Sequence, residues 1–269
     1  MKNGKLLAAA ILAVMGLGAF ARTAESVKPS GHVRWCGFNL LGMFCQTKQA
    51  QGDARIAGCF PEDRFQWMRE WGFNFARLPL DYRYFVEKGD WMKPIEAQLE
   101  KLDEAVRYGR CYGIHVQINF HRAPGYCVTP PAEPEDLFKD QSALDGCAYQ
   151  WRVLAERYAK VSNKWLSFNL LNEVADISDE DYERVVRPLV SAIREVSPKR
   201  VIMIDGLRWG GRPLLSVNDL DRMVQCGRGY QPMLISHYAA QWVFKEPMGI
   251  APEQLSWPLE ADGRCYDRP

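Results

Sequence analysis

Five places in this chain put a reactive polar side chain directly behind a short run of β-forming residues. Arg77 follows Phe73-Asn74-Phe75-Ala76, His121 follows Asn119-Phe120, and Asn172-Glu173 closes the run that begins at Trp165. Asp205 follows Val201 to Ile204, and His237-Tyr238 closes the run from Met233. A carboxyl in such a place can give or take a proton, while an amide, an imidazole or a phenol can hydrogen-bond a polar ligand. One such residue after a strand is commonly a solvated loop residue. A repeated set of Arg, His, Asn-Glu and His-Tyr at strand ends is hard to explain by core packing alone.

Side chains so far apart in sequence need a scaffold that gathers strand ends. Runs rich in β-formers recur at 33–40, 73–80, 115–121, 165–172, 201–205 and 233–238. Helical patterns lie between most of them. Ile95, Leu99, Leu102, Val106 and Cys111-Tyr112 mark one apolar face, and Trp151, Leu154, Ala155 and Tyr158 mark another. Ser178, three residues before Asp181, starts a third helix with Tyr182, Val185, Leu189, Ile193 and Val196 as its buried stripe, and Pro188 should kink or tighten it. Strands alternating with helices imply parallel strands, in either a doubly wound sheet or a (β/α)8 barrel. The chain has no GxGxxG or GxxxxGK[ST] turn to hold a nucleotide, and no GxSxG elbow. The barrel is the better fit, because its C-terminal strand ends converge on one face.

Residues 1–21 read as a secretory signal. Lys2 and Lys5 precede an apolar run from Leu6 to Phe20, which is short for a membrane span, and Ala19-Phe20-Ala21 has the small residues of a cleavage site. The mature chain, 22–269, then reads as one barrel domain in a secreted, periplasmic or extracellular protein, with no membrane association after cleavage. Losing the two lysines takes the formal charge from +1 to −1, which argues against a nucleic-acid partner. The eight cysteines make some disulfides plausible in an exported protein, without specifying which. No CxxC pair or HExxH is present, so neither a metal nor another cofactor is expected.

RLPL (77–80), NFHRAPGY (119–126), FNLLNE (168–173) and ISHY (235–238) resemble the second, third, fourth and sixth strand ends of glycoside hydrolase family 5, the cellulase-like (β/α)8 hydrolases. GFNLLGMF (37–44) resembles the family's first strand and following loop. The resemblance implies a secreted retaining hydrolase of β-linked oligo- or polysaccharide, of glucan or mannan type. It makes Glu173 the general acid/base and Asn172 the contact to the sugar hydroxyl beside the scissile bond. Arg77 would support the nucleophile, and His121, His237 and Tyr238 would line the subsite at the cleavage point. Trp209, Trp242 and Trp257 offer faces for sugar stacking, and the Pro-rich loop 125–136 should be a rigid excursion over the cleft, with Tyr126 its residue of interest. His32 and His115 read as structural.

A retaining mechanism needs a second carboxylate, which the family places at the end of its seventh strand. Only about six β/α units can be counted here, and Glu246, Glu253 and Glu260 stand in loop-like sequence. The nucleophile is therefore expected beyond residue 269, in a barrel cut short at its C-terminus. The alternative is a sugar-binding barrel, or an inactive truncated product, without catalysis.

Overall fold

A computed structural model describes residues 34–44, 58–240, 243–244, 255–261 and 263–267. The signal, His32, Cys45, Trp242, Glu246 and Glu253 lie outside the described residues.

Six parallel strands form one sheet in sequence order: β1 (Gly37–Asn39), β2 (Phe75–Asp81), β3 (His115–Ala123), β5 (Leu166–Asn169), β6 (Ile202–Asp205) and β7 (Met223–Cys226). A two-residue strand, β4 (Tyr126–Cys127), turns back antiparallel on the end of β3. The main crossover helices are α1 (Glu62–Glu70), α2 (Glu96–Tyr112), α3 (Gln141–Arg157) and α4 (Asp179–Arg194). The sheet curls part-way into a (β/α) barrel. A hairpin of β8 (Leu259–Ala261) and β9 (Arg264–Tyr266) forms a separate sheet.

The elements follow from local sequence. In α2, Leu99, Leu102 and Val106 are buried at helical spacing, and Gly113 ends the helix in the left-handed conformation at φ 71°. Ser178 caps α4, its hydroxyl accepting from the Asp181 N–H at 3.0 Å, and the helix runs unbroken through Pro188. Each central strand alternates. Val116, Ile118, Phe120, Leu166, Phe168, Ile202 and Ile204 are buried against the helices, and Trp151 of α3 sits between Phe120 and Phe168 at ring separations of 4.3 and 5.1 Å. The opposite face carries Gln117, Asn119, Ser167, Asn169 and Asp205, all buried and polar. Parallel register sets these side by side, with Gln117 opposite Ser167 and Asn119 opposite Asn169. The WLSFNLLNEV run is thus half polar by design, with an apolar face outside and a hydrogen-bonded face inside.

One expectation is corrected. The sixth parallel strand is Met223–Cys226, whereas 233–236 forms a short helix, so His237 and Tyr238 do not end a strand. Pro232 supplies no N–H for a ladder and sits as the helix N-cap. The strand itself starts after Arg222, which turns the chain in a left-handed conformation at φ 54°, and β7 pairs with β6 from Ile202↔Met223 to Asp205↔Cys226. No disulfide joins the described cysteines: Cys147 is buried within α3, while Cys36, Cys111 and Cys265 are exposed.

The opposite end of the strands carries two buried bases, His115 and Arg200. His115 bonds the Lys164 carbonyl at 3.1 Å and the Ser167 hydroxyl at 2.8 Å, and its ring stacks on Trp35 at 4.0 Å. Burial pushes its pKa down from 6.5 to about 4, against the pull of the Lys164 carbonyl and with help from the Arg200 charge. A base whose folded value lies below its unfolded value stabilises the fold above the unfolded pKa and loses that contribution as pH falls through the folded one. The window is therefore pH 6.5 down to about 4. The stability advantage of wild type over His115→Phe in urea unfolding should shrink by up to about 3 kcal/mol between pH 7 and pH 4. An advantage that stays constant across that range would show that His115 does not carry this linkage.

Candidate active site

The polar inner face continues to the C-terminal strand ends and gathers there around Asp205. This carboxylate has no exposed surface. Its Oδ1 accepts from Asn169 Nδ2 at 3.1 Å, and its Oδ2 accepts from the Glu173 backbone N–H at 2.9 Å. Arg228 Nη2 donates to the same oxygen, and Arg77 Nη2 stands 3.9 Å away. Burial lowers the Arg77 pKa and Asp205 opposes that; at Arg228 burial also pulls down, but Asp205, Tyr230, Glu173 and Cys226 together outweigh it and the pKa rises.

Arg77 is the bridge to the neighbouring amides. Its Nη2 donates to Asn169 Oδ1 at 3.0 Å and to Asn172 Oδ1 at 2.9 Å, and Asn169 Oδ1 also accepts from Asn119 Nδ2 at 2.8 Å. Because Asn172 accepts from a guanidinium, its amide orientation is fixed. Its Nδ2 donor is left without a partner although the residue is only 2% exposed. His121 lies on the same face, with its ring against Phe44 at 4.2 Å and Nδ1 3.3 Å from Asn119 Oδ1. Burial, then the charges of Arg77, Arg228 and Arg122, push its pKa down to about 3, so it stays neutral above that pH.

Glu173 is held from three sides. Its backbone is left-handed, φ 49°, in a residue that is not glycine. The Asp205 carboxylate takes its N–H, and the Tyr126 hydroxyl donates to its carbonyl at 3.0 Å. The Tyr230 hydroxyl donates to its Oε1, from which Arg228 Nε lies 3.6 Å away. Burial and that bond to Glu173 push the Tyr230 phenol up to about 12. The Glu173 side chain keeps 24% of its surface, enough to meet a ligand.

Tyr126 reaches Glu173 because the loop behind it is pinned. Arg122, 3% exposed at its side chain, donates to the Pro131 carbonyl at 2.9 Å and the Thr129 carbonyl at 3.1 Å, and pairs with Glu133 and Asp81. The 206–211 segment is similarly tight: Arg208 and Trp209 are left-handed, and the Trp209 N–H bonds the Val174 carbonyl at 2.8 Å. That turn leaves Trp209 47% exposed beside the Glu173 loop.

Arg77, His121, Tyr126, Asn172 and Glu173 are therefore brought together as the sequence suggested. His237 stands one layer back, its ring edge-on to Tyr230 at 4.9 Å and 87°. Tyr238 is half-buried in the turn beyond the short helix, Trp257 is exposed beside the hairpin, and Trp242 lies outside the described residues. Arg228 and Tyr230 were missed, and Asp205 was noticed without a role. The signal was Gly227-Arg228-Gly229-Tyr230 directly after Met223–Cys226, a strand too short and mixed to stand out. Glu260 lies exposed on the hairpin.

The cellulase family profile, glycosyl hydrolase family 5, matches residues 54–240. Endoglucanase C of Acetivibrio thermocellus is 27% identical over 210 residues, covering 77% of this chain and 60% of its own length. The chain thus spans about 60% of the length of the curated relatives it matches. A crystal structure of a glycoside hydrolase is 34% identical, with a TM-score of 0.76, covering 87% of this chain and 70% of that one. Thermotoga maritima Cel5A with mannotriose shares the fold at 21% identity and a TM-score of 0.61, over 80% of this chain and 70% of that one. With the family profile spanning most of the chain and a structural relative above 30% identity, this chain belongs to glycosyl hydrolase family 5.

Proposed function

We propose that the intact protein is an exported retaining glycoside hydrolase acting on β-linked glucan or mannan, with Glu173 as its general acid/base. The observation that carries this reading is the held, partly exposed Glu173 carboxyl beside an unpartnered amide donor on Asn172. Breaking an acetal at neutral pH needs a proton delivered to the leaving oxygen, which a carboxyl in a part-buried cleft can supply. The Tyr230 hydroxyl fixes which Glu173 oxygen is occupied and leaves the other to face the glycosidic oxygen. Asn172 Nδ2 is suited to a sugar hydroxyl, since such a bond would satisfy a buried donor only when substrate arrives.

The second carboxylate must stand about 5–5.5 Å from the first for retention. Asp205 cannot serve: it is fully buried, and its oxygens are taken by Asn169, Arg228 and the Glu173 N–H. The nucleophile in this reading is a Glu outside the described residues. A signal at 1–21 belongs to the same reading and is checked by the N-terminus of the exported protein. The relatives named as endoglucanases support β-glucan as the first substrate class to try.

Glu173→Gln in the full-length protein should lower kcat/KM on cello- or manno-oligosaccharides by about 10²–10⁴-fold. On an aryl β-glycoside whose phenol leaves without protonation, kcat/KM should be largely kept. Equal losses on both substrates, or no loss, would rule out the acid role. Trp209→Ala should raise KM for the same oligosaccharides about 2–10-fold through lost ring stacking, with little change in Tm. An unchanged KM would remove Trp209 from the binding surface.

A further inference from the structure

Arg228 stands between two carboxylates. One side of its guanidinium donates to Asp205 Oδ2, and Nε lies 3.6 Å from Glu173 Oε1. Its place is set by the chain as well: the Arg228 N–H bonds the Gly210 carbonyl at 3.1 Å, and a Cβ on Gly210 would come within 2.5 Å of Arg228 Cγ. A cation this close to a proton donor is a hazard. At 3.6 Å it already pairs loosely with Glu173, and if it let go of Asp205 and closed to hydrogen-bonding distance it would hold that carboxyl ionised and remove the proton it has to deliver. Asp205 is placed to prevent this while also taking the N–H of a residue in a strained backbone conformation.

We propose that Asp205 is a positioning residue for Glu173: it anchors the strained Glu173 backbone and, by taking the hydrogen bond of the Arg228 guanidinium, keeps that cation at a 3.6 Å contact with the Glu173 carboxyl instead of a closed, hydrogen-bonded pair. The inference rests on the acid role proposed above. The charged and titratable groups around Glu173 are Arg77 from β2, Tyr126 from β4, Asp205 from β6, and Cys226, Arg228 and Tyr230 from the end of β7 and beyond. Arg77 is occupied by Asn169 and Asn172, and the two phenols stay neutral at working pH, so Arg228 is the cation whose placement matters. Neutral His121 adds no charge.

The test is a double-mutant cycle in the full-length protein, read as kcat/KM on an unactivated cello-oligosaccharide and on an aryl β-glycoside with an acidic phenol. Asp205→Asn keeps an acceptor oxygen for the Glu173 N–H and removes the charge that restrains Arg228. With Arg228 present it should cost about 10²-fold on the oligosaccharide and much less on the aryl glycoside. In an Arg228→Gln background the same change should cost no more than about fivefold on either. Equal losses on the two substrates, or a loss of the same size in both backgrounds, would overturn the inference. If Asp205→Asn alone does not fold, the Arg228→Gln pair still decides, because a hundredfold loss there contradicts it. Wild-type turnover separates the two claims. Turnover with an unaffected Asp205→Asn ends this inference alone, whereas a wild type without turnover on either substrate removes the acid role and this inference with it.

Discussion

The Asp205 carboxylate is buried completely, and a buried charge persists only where donors and opposite charges surround it. That requirement organises the whole C-terminal face. It draws Arg77 inward from β2, Asn169 from β5 and Arg228 from the segment after β7, and it fixes the backbone of Glu173 by the N–H it takes. Four separate stretches of chain are tied to one oxygen pair. Removing one partner would leave the others with uncompensated charge or unmet donors, so the arrangement is held as a unit.

The strands permit this because they are two-faced. Their outer residues, such as Ile118, Phe168 and Ile204, are packed against the helices and supply the apolar burial. Their inner residues carry a hydrogen-bonded layer from Gln117 and Ser167 up through Asn119 and Asn169 to Asp205. A second charge cluster, Arg122 with Asp81 and Glu133, does different work behind the site: it pins the 129–133 loop and with it the approach of Tyr126 to Glu173. One cluster shapes the candidate site and the other holds its wall.

Much of this could be read from the sequence. The alternation of strands and helices, the caps, and the placing of Arg77, His121 and Asn172-Glu173 at strand ends all depend on local patterns, and local patterns survive in the fold. The sixth strand did not survive, because Met233-Leu234-Ile235-Ser236 has stronger β-formers than Met223-Val224-Gln225-Cys226. Pairing to β6, which lies outside either local window, decided between them. That error hid Arg228 and Tyr230. The role of Asp205 was hidden for a related reason: its four partners come from 77, 169, 173 and 228, and no local window contains them. Strain at Glu173 and Trp209 is likewise a property of the closed turns and leaves no mark on residue type.

The central claim is that the Asp205-centred face is where a β-linked saccharide is cleaved, with Glu173 at the scissile bond. A crystal structure of full-length Glu173→Gln with a bound cello-oligosaccharide tests it directly. The account places a glycosidic oxygen within about 2.6–3.2 Å of the residue 173 side chain, with Asn172 Nδ2 on the adjacent sugar hydroxyl. A saccharide seated instead in the cleft between Tyr82, Trp91 and Glu133, away from residue 173, would contradict it.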